Sequence, residues 1–231
     1  MSSYYLSDAL VDPHRFAAFE QQGLVSRTFI RLDPQRQTAI VRAIMEEATQ
    51  KGPLAVNIKE VAKKAGVSVG SLYQYFGSRH QLLDFAIELV VSNTLAVFES
   101  AIPWLESQPI NEALPVYLHA AEEWNLEQRG LFQFFLRTAY EGNPALQERV
   151  VQPVAICILN MTRRLVQAAV RRGELRPDLD EEAAIRLLNI LLIGLGDSSL
   201  LPHLNTYYQA VDEKINAPCL IDTLLNLIRK A

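Results

Sequence analysis

Apolar residues recur along most of the chain at the three- and four-residue spacing of one helix face. Between Gln35 and Lys51 the stripe is Ile40, Val41, Ile44, Met45 and Ala48. Asp33-Pro34 gives it a start signal and Gly52-Pro53 closes it. A second, short stripe follows in Ile58, Val61, Ala62 and Ala65; Asn57 and Glu60 are spaced as an N-cap and a reciprocal acid, and Gly66 stands where a helix stops. Ser68 can cap a third helix over 68–75. There the spacing sends Val69, Leu72 and Phe76 one way and Ser71, Gln74 and Tyr75 the other. After Gly77, Ser78 opens a long helix over about 78–101 with Leu82, Phe85, Ala86, Leu89 and Val90 on its apolar side.

Breaks at Pro103, Pro109, Gly130, Pro144 and Gly173 to Pro177 leave further helices near 111–126, 128–140, 144–172, 180–200 and 212–230. Nothing shows the two-residue alternation of strands. The expected fold is all-α. The first 33 residues stand apart. Between Pro13 and Leu24, Phe16, Ala17 and Phe19 lie among polar residues and predict one short amphipathic helix.

Residues 58–76 meet the physical requirements of a helix-turn-helix. Ala62 and Ala65 are small enough for two helices to cross closely, and Gly66 adopts positive φ without a Cβ penalty. Val67 plugs the gap under the turn. Ser68 begins a helix short enough to lie against base edges in a major groove, with N–H groups at its start free for a phosphate.

Bulk charge argues against a nucleic-acid partner, since the formal net charge is −4. Its distribution reverses that argument. Residues 31–80 carry eight Lys/Arg against four acids, whereas residues 81–231 carry twelve against nineteen. A basic segment ahead of an acidic one fits two modules with different partners, although surface charge also fluctuates this much by chance.

The run Val61-Ala-Lys-Lys-Ala-Gly-Val-Ser-Val-Gly-Ser-Leu-Tyr-Gln-Tyr-Phe-Gly-Ser-Arg-His-Gln-Leu-Leu83 resembles the DNA-binding signature of the TetR (tetracycline-repressor) family. That pattern is an Ile/Val-Ala pair, Ala-Gly-Val-Ser, Gly-Thr/Ser-Leu-Tyr-x-Tyr-Phe and Ser-Lys/Arg-x-x-Leu-Leu. The likeness covers about 50 residues, Arg36 to Phe85, and Gly173 to Asp180 is similar to the family's linker before its dimerisation helices. The resemblance implies an N-terminal extension over 1–33, a three-helix DNA-binding domain over 34–80, and a helical effector-binding and dimerisation domain over 81–231. It implies a repressor released from a palindromic double-stranded operator by a small-molecule effector, acting as a homodimer.

By position, Ser68 with the N–H groups of Val69 and Gly70 would grip a phosphate. Ser71, Tyr73 and Gln74 would face the groove, with Gln74 suited to a bidentate adenine contact. Tyr75 and Ser78 would reach backbone phosphates, as would Asn57 and Arg79, while Lys63 and Lys64 would add attraction. The rival reading of Tyr73 and Tyr75 is that they are packed or merely solvated aromatics. The chain departs from the family at Asn57, where Thr is common, and at Arg79-His80, where Lys-Glu is common. It departs also at Ala48, where Phe is frequent. Phe16 or Phe19 is expected to fill the space that Ala48 leaves.

For the effector, the resemblance points to the aromatic-rich region after residue 103. Trp104, Tyr117, Trp124, Phe134 and Tyr140 would supply apolar wall, and Arg137, Cys157 and Asn160 placed polar groups. Aromatics at helical spacing are as readily plain core. For the dimer it points to Leu187, Leu188, Leu191, Leu192 and Leu195 on one late helix and Leu220, Leu224 and Ile228 on the other, although one bundle could bury the same stripes internally.

Other classes fit less well. His14, His80, His119 and His203 are scattered, Cys157 and Cys219 match no metal or redox spacing, and no phosphate-loop or nucleophile-elbow motif occurs, so neither an enzyme, a metal site nor a cofactor is expected. Met1 to Leu10 lacks the basic and apolar run of a signal peptide. The most apolar stretch, Leu187 to Leu195, is too short for a membrane span, so a cytoplasmic protein without membrane contact is expected. The alternative is a helical ligand-binding or interaction protein without specific DNA binding.

Overall fold

In the computed structural model, which describes residues 13–118, 135–136, 138–140, 142–212 and 214–229, the first helices begin at side-chain caps. α3 (Pro34–Lys51) follows Asp33, whose carboxylate accepts from Arg36 N, with Pro34 in the first turn. α4 (Ile58–Ala65) follows Asn57, which accepts from Lys59 N at 3.0 Å. Ser68 Oγ accepts from Ser71 N at 2.9 Å ahead of α5 (Val69–Phe76). Ser78 Oγ accepts from Gln81 N at 3.1 Å ahead of α6 (Arg79–Ser107). Each cap satisfies a donor that has no partner inside its own helix. Before them lie α1 (Pro13–Gln21) and α2 (Arg27–Ile30), the latter unexpected from the sequence.

Residues 110–118 form α7. Then come α8 (Pro144–Leu146), a π-helical turn Gln147–Val151, α9 (Gln152–Arg171), α10 (Glu181–Leu200), α11 (Pro202–Tyr208) and α12 (Ala217–Ile228). Apart from one bridge between Leu175 and Arg229, the described residues hold no β-structure. The chain is all-α.

Several boundaries differ from expectation. α6 does not stop at Pro103 but runs through it to Ser107. Residues 99 and 103 are both exposed, so the carbonyl that proline leaves without a donor can be hydrated. The segment expected as one helix over 144–172 is interrupted by the π-turn. The last helix starts at Ala217 behind the Asn216 cap, with α11 as an additional short helix. The helices expected at 111–126 and 128–140 lie partly outside the described residues. Among the described residues α6, rather than Leu187 to Leu195, is long and apolar enough by composition to cross a bilayer, yet 56% of its most apolar stretch is buried inside the protein.

The contacts divide the chain into two units, Met1–Thr94 with Glu127–Val151 and Leu95–Leu126 with Gln152–Ala231. The first is centred on rings. Phe16, Phe19 and Phe29 are buried with Phe76 and Phe85. Phe29 meets Phe76 at 5.4 Å and Phe85 at 5.9 Å; Phe16 and Phe19 meet Phe85 at 6.1 and 5.7 Å. Such pairs add about 0.5–1.5 kcal/mol each beyond the burial itself. The rings that α1 supplies therefore pack on Phe85, and Phe29, absent from the sequence expectation, is the ring that meets both Phe76 and Phe85.

α3 is tied to α4 by a buried carboxylate. Lys51 Nζ lies 2.6 Å from one oxygen of Glu47 and Lys64 Nζ 3.2 Å from the other. Burial works to raise the Glu47 pKa, but the two ammonium groups prevail and hold it below the ordinary value of 4.5.

In the second unit, α9 and α10 are joined by Arg163 on Glu182 and by Gln167 on Glu181. Glu106 receives both Arg164 and Arg171, and Glu174 accepts from Ile110 N at the start of α7.

Candidate nucleic-acid interface

α4 and α5 meet through a turn at Gly66, whose φ of +67° lies in the left-handed region. The acid of the α4 first turn, Glu60, and the bases of its last, Lys63 and Lys64, both complement the helix dipole. α5 is split sharply by exposure. Leu72, Tyr75 and Phe76 are buried at i, i+3 and i+4; Tyr73 and Gln74 are exposed, and Ser71 is half-exposed.

This corrects the expected orientation of Tyr75. It lies on the core side, its ring 6.1 Å from Phe29. An amphipathic side chain gives little pattern signal, and the partner ring comes from 46 residues upstream.

Several of the remaining positions gather where α4 and α5 begin. Asn57, Val69, Tyr73 and Arg79 line one open groove together with Lys59, a residue outside the set that the resemblance implies. Ser68 Oγ also lies 2.8 Å from Ser71 Oγ, presenting two hydroxyls side by side. Gly70 is exposed between them, and a Cβ there would sit 3.6 Å from Ser68 Oγ. Lys63 is exposed, whereas Lys64 is committed to Glu47 and Gln50. The Arg79 guanidinium donates to Leu54 O at 2.7 Å and Val56 O at 3.1 Å, fixing the loop that leads into Asn57. Ser78 caps α6 and is half-exposed.

A groove lined by Lys59 and Arg79 beside a short helix with polar tips is the geometry of a DNA-reading helix-turn-helix. A family profile described as bacterial regulatory proteins, tetR family, matches residues 40–85, the span of this site. Over these residues the chain is similar to the DNA-binding domain of the TetR family. It is a DNA-binding transcription regulator.

Relatives of this regulator include YhgD of Bacillus subtilis (strain 168), an uncharacterized HTH-type transcriptional regulator. The two are 25% identical over 162 residues, which is 70% of this chain and 83% of YhgD. The HTH-type transcriptional regulator BetI of Rhizobium meliloti (strain 1021) is 41% identical over 54 residues, spanning 23% of this chain and 27% of BetI. The crystal structure of a TetR family transcriptional regulator from Chloroflexus aurantiacus J-10-FL has the same fold. Its TM-score is 0.63 at 20% identity, over 90% of this chain and 99% of that one.

The second unit presents the remaining sequence candidates unevenly. Tyr117 and Cys157 are close enough to influence each other. Withdrawal of the Tyr117 phenol from water raises its pKa, and Cys157 adds to the rise. The Cys157 thiol is likewise raised by burial and then by Glu99. Trp104 and Asn160 are exposed, as is Tyr140, which falls in the first unit. Trp124, Phe134 and Arg137 lie outside the described residues.

Of the dimer candidates, Leu188, Leu192, Leu195 and Ile228 are buried within the protomer, which corrects their assignment to an interface. Each faces its own bundle because the apolar stripe of its helix is wide enough to have two sides. Leu187 remains exposed, and Leu191, Leu220 and Leu224 are half-exposed. Ile190, Ile193 and Leu227, which lie outside the expected set, are exposed too.

Proposed function

We propose that the protein is a cytoplasmic, homodimeric repressor that reads a pseudo-palindromic operator with α5 and leaves it when a small-molecule effector binds. The observation that carries this reading is the division of α5. Ser71, Tyr73 and Gln74 project from a helix whose other side is locked by Leu72, Tyr75 and Phe76. In this reading Ser71, Tyr73 and Gln74 meet base edges. Ser68, Val69 and Gly70 meet a phosphate with their N–H groups or hydroxyl, and Asn57, Lys59, Lys63 and Ser78 meet flanking phosphates. Arg79 acts from behind by holding the Leu54–Val56 loop, with any phosphate contact secondary.

Dimerisation supplies the second reading helix that one short helix needs for a specific site. The support is the apolar surface left open on α10 and α12, with Leu187, Ile190 and Leu227 exposed by 58%, 67% and 63%. A Cβ placed on Gly194 meets nothing within 4 Å, so a partner helix has room to approach there. For the effector, Tyr117 and Cys157 provide two polar side chains of the second unit close enough to influence each other. α6 is continuous from the end of the reading motif to Ser107, so a shift of that helix alters the presentation of α5. By linkage, DNA weakens effector binding by the same factor.

The test is enrichment of a duplex from a random pool by the full-length protein, followed by mobility shift at two salt concentrations. Specific binding that weakens with salt, and loses about 1–3 kcal/mol of discrimination in Gln74→Ala, supports the reading. Absence of any selected duplex at low salt would leave a helical ligand-binding protein instead.

A further inference from the structure

The segment ahead of the DNA-binding helices is joined directly to the last turn of α5. Ser26 N donates to Tyr75 O at 2.7 Å, and Ser26 Oγ donates to Gln74 O, also at 2.7 Å. Gln81 Nε2 reaches Gly23 O at 3.4 Å, and Gln37 Nε2 donates to Phe29 O at 3.0 Å and Ile30 O at 3.3 Å. Phe29 is fully buried. α2 is therefore held in a fixed place beside Gln74.

Its outer side is basic. Arg27 and Arg31 are both exposed, and Arg31 N donates to Arg27 O, so the two side chains leave the same face one turn apart. Neither has an acidic partner among the described residues. Like charges at this spacing repel and cost stability. Asp33 caps α3, Glu47 binds two lysines, and Asp84 is paired with Arg149 and His80. A pair of guanidinium groups without an acidic partner among the described residues, anchored next to a base-reading residue, has the charge and position to meet duplex backbone.

We propose that Arg27 and Arg31 form a second phosphate clamp, which extends the DNA contact of each protomer beyond the helix-turn-helix on the side where α5 ends. The clamp rests on the assignment of α5 as the reading helix. It adds affinity without sequence information, because phosphates are common to every sequence. Ser26 is the hinge-point of the arrangement, since it is bonded to the carbonyl of Gln74 and immediately precedes Arg27.

The test uses the full-length protein and a 30-base-pair duplex enriched from a random pool by the wild type. Binding is followed by fluorescence anisotropy across a KCl series. The expected result for Arg27→Gln/Arg31→Gln is weaker binding, with the log–log salt slope reduced by about 1.8, at ~0.9 per phosphate contact. Preference for the enriched duplex over a scrambled one is retained. Ethylation interference should lose its outermost phosphates on each half-site. A control variant, Gln74→Ala, should lose preference while keeping the slope. An unchanged slope in the double-arginine variant, with the preference of Gln74→Ala lost as expected, overturns the clamp and leaves the reading helix standing. Failure of the wild type to select any duplex overturns both.

Discussion

Ser26 closes the C-terminal end of the reading helix: its amide and its hydroxyl donate to consecutive carbonyls, Tyr75 O and Gln74 O, each at 2.7 Å. These belong to the last turn of α5, where carbonyls lack intrahelical donors. The same hydroxyl is the N-cap of α2, accepting from Phe29 N. Ser26→Ala removes the hydroxyl from both ends but keeps the amide bond. It is expected to cost about 1 kcal/mol in urea denaturation. Phe29→Ala, which empties a fully buried ring position, should cost about 3–5 kcal/mol. Equal, negligible effects would mean that the extension is not integral to the unit.

Gly66 offers a cleaner test of backbone conformation. A Cβ there meets nothing within 4 Å, so crowding plays no part, and only the φ of +67° penalises a side chain. Gly66→Ala should cost about 1–2 kcal/mol, and Gly66→Asn less, because Asn tolerates the left-handed region. Thermal melts of the two variants would check the order.

Glu47 should give the first unit an acid-sensitive limb. Its folded pKa lies below 4.5, so its contribution is complete above that value and is lost as pH falls through the folded pKa. Glu47→Gln should be destabilised by about 2 kcal/mol at neutral pH. The difference from wild type should shrink below about pH 4.5. Urea midpoints from pH 3 to 7 decide it; a constant difference across that range would remove Glu47 from the account.

Ile190 is the most exposed large aliphatic residue of α10, at 67%. If this surface is the dimer contact, Ile190→Glu should shift sedimentation toward the monomer while leaving the helical content of the chain intact. Leu188→Glu, which is buried, should instead unfold the second unit. A dimer that survives Ile190→Glu would place the interface elsewhere.

The parts legible in the sequence are those set by neighbours a few residues away. Asp33, Asn57, Ser68 and Ser78 act on amides two or three positions downstream, so their caps can be read from spacing alone. Gly66 needs only its own φ. The parts that were missed depend on distant partners. Tyr75 turns inward because Phe29 waits there, and Arg79 is drawn to Leu54 and Val56, more than twenty residues away. Lys63 and Lys64 are indistinguishable in the sequence, yet only Lys64 finds a carboxylate across the helix pair. On α10 the apolar residues were countable, but which side faces inward was decided by α9, through Arg163 and Gln167.

The first unit is assembled from two stretches of chain, Met1–Thr94 and Glu127–Val151, with other sequence between them. A gene fragment cut after the motif, near residue 80, would thus encode the reading helix without the whole body that carries it. Anyone building chimeras or reporter fusions from this regulator should place the junction outside residues 1–151. A swap of DNA specificity is better made by exchanging surface residues of α5 than by grafting a head.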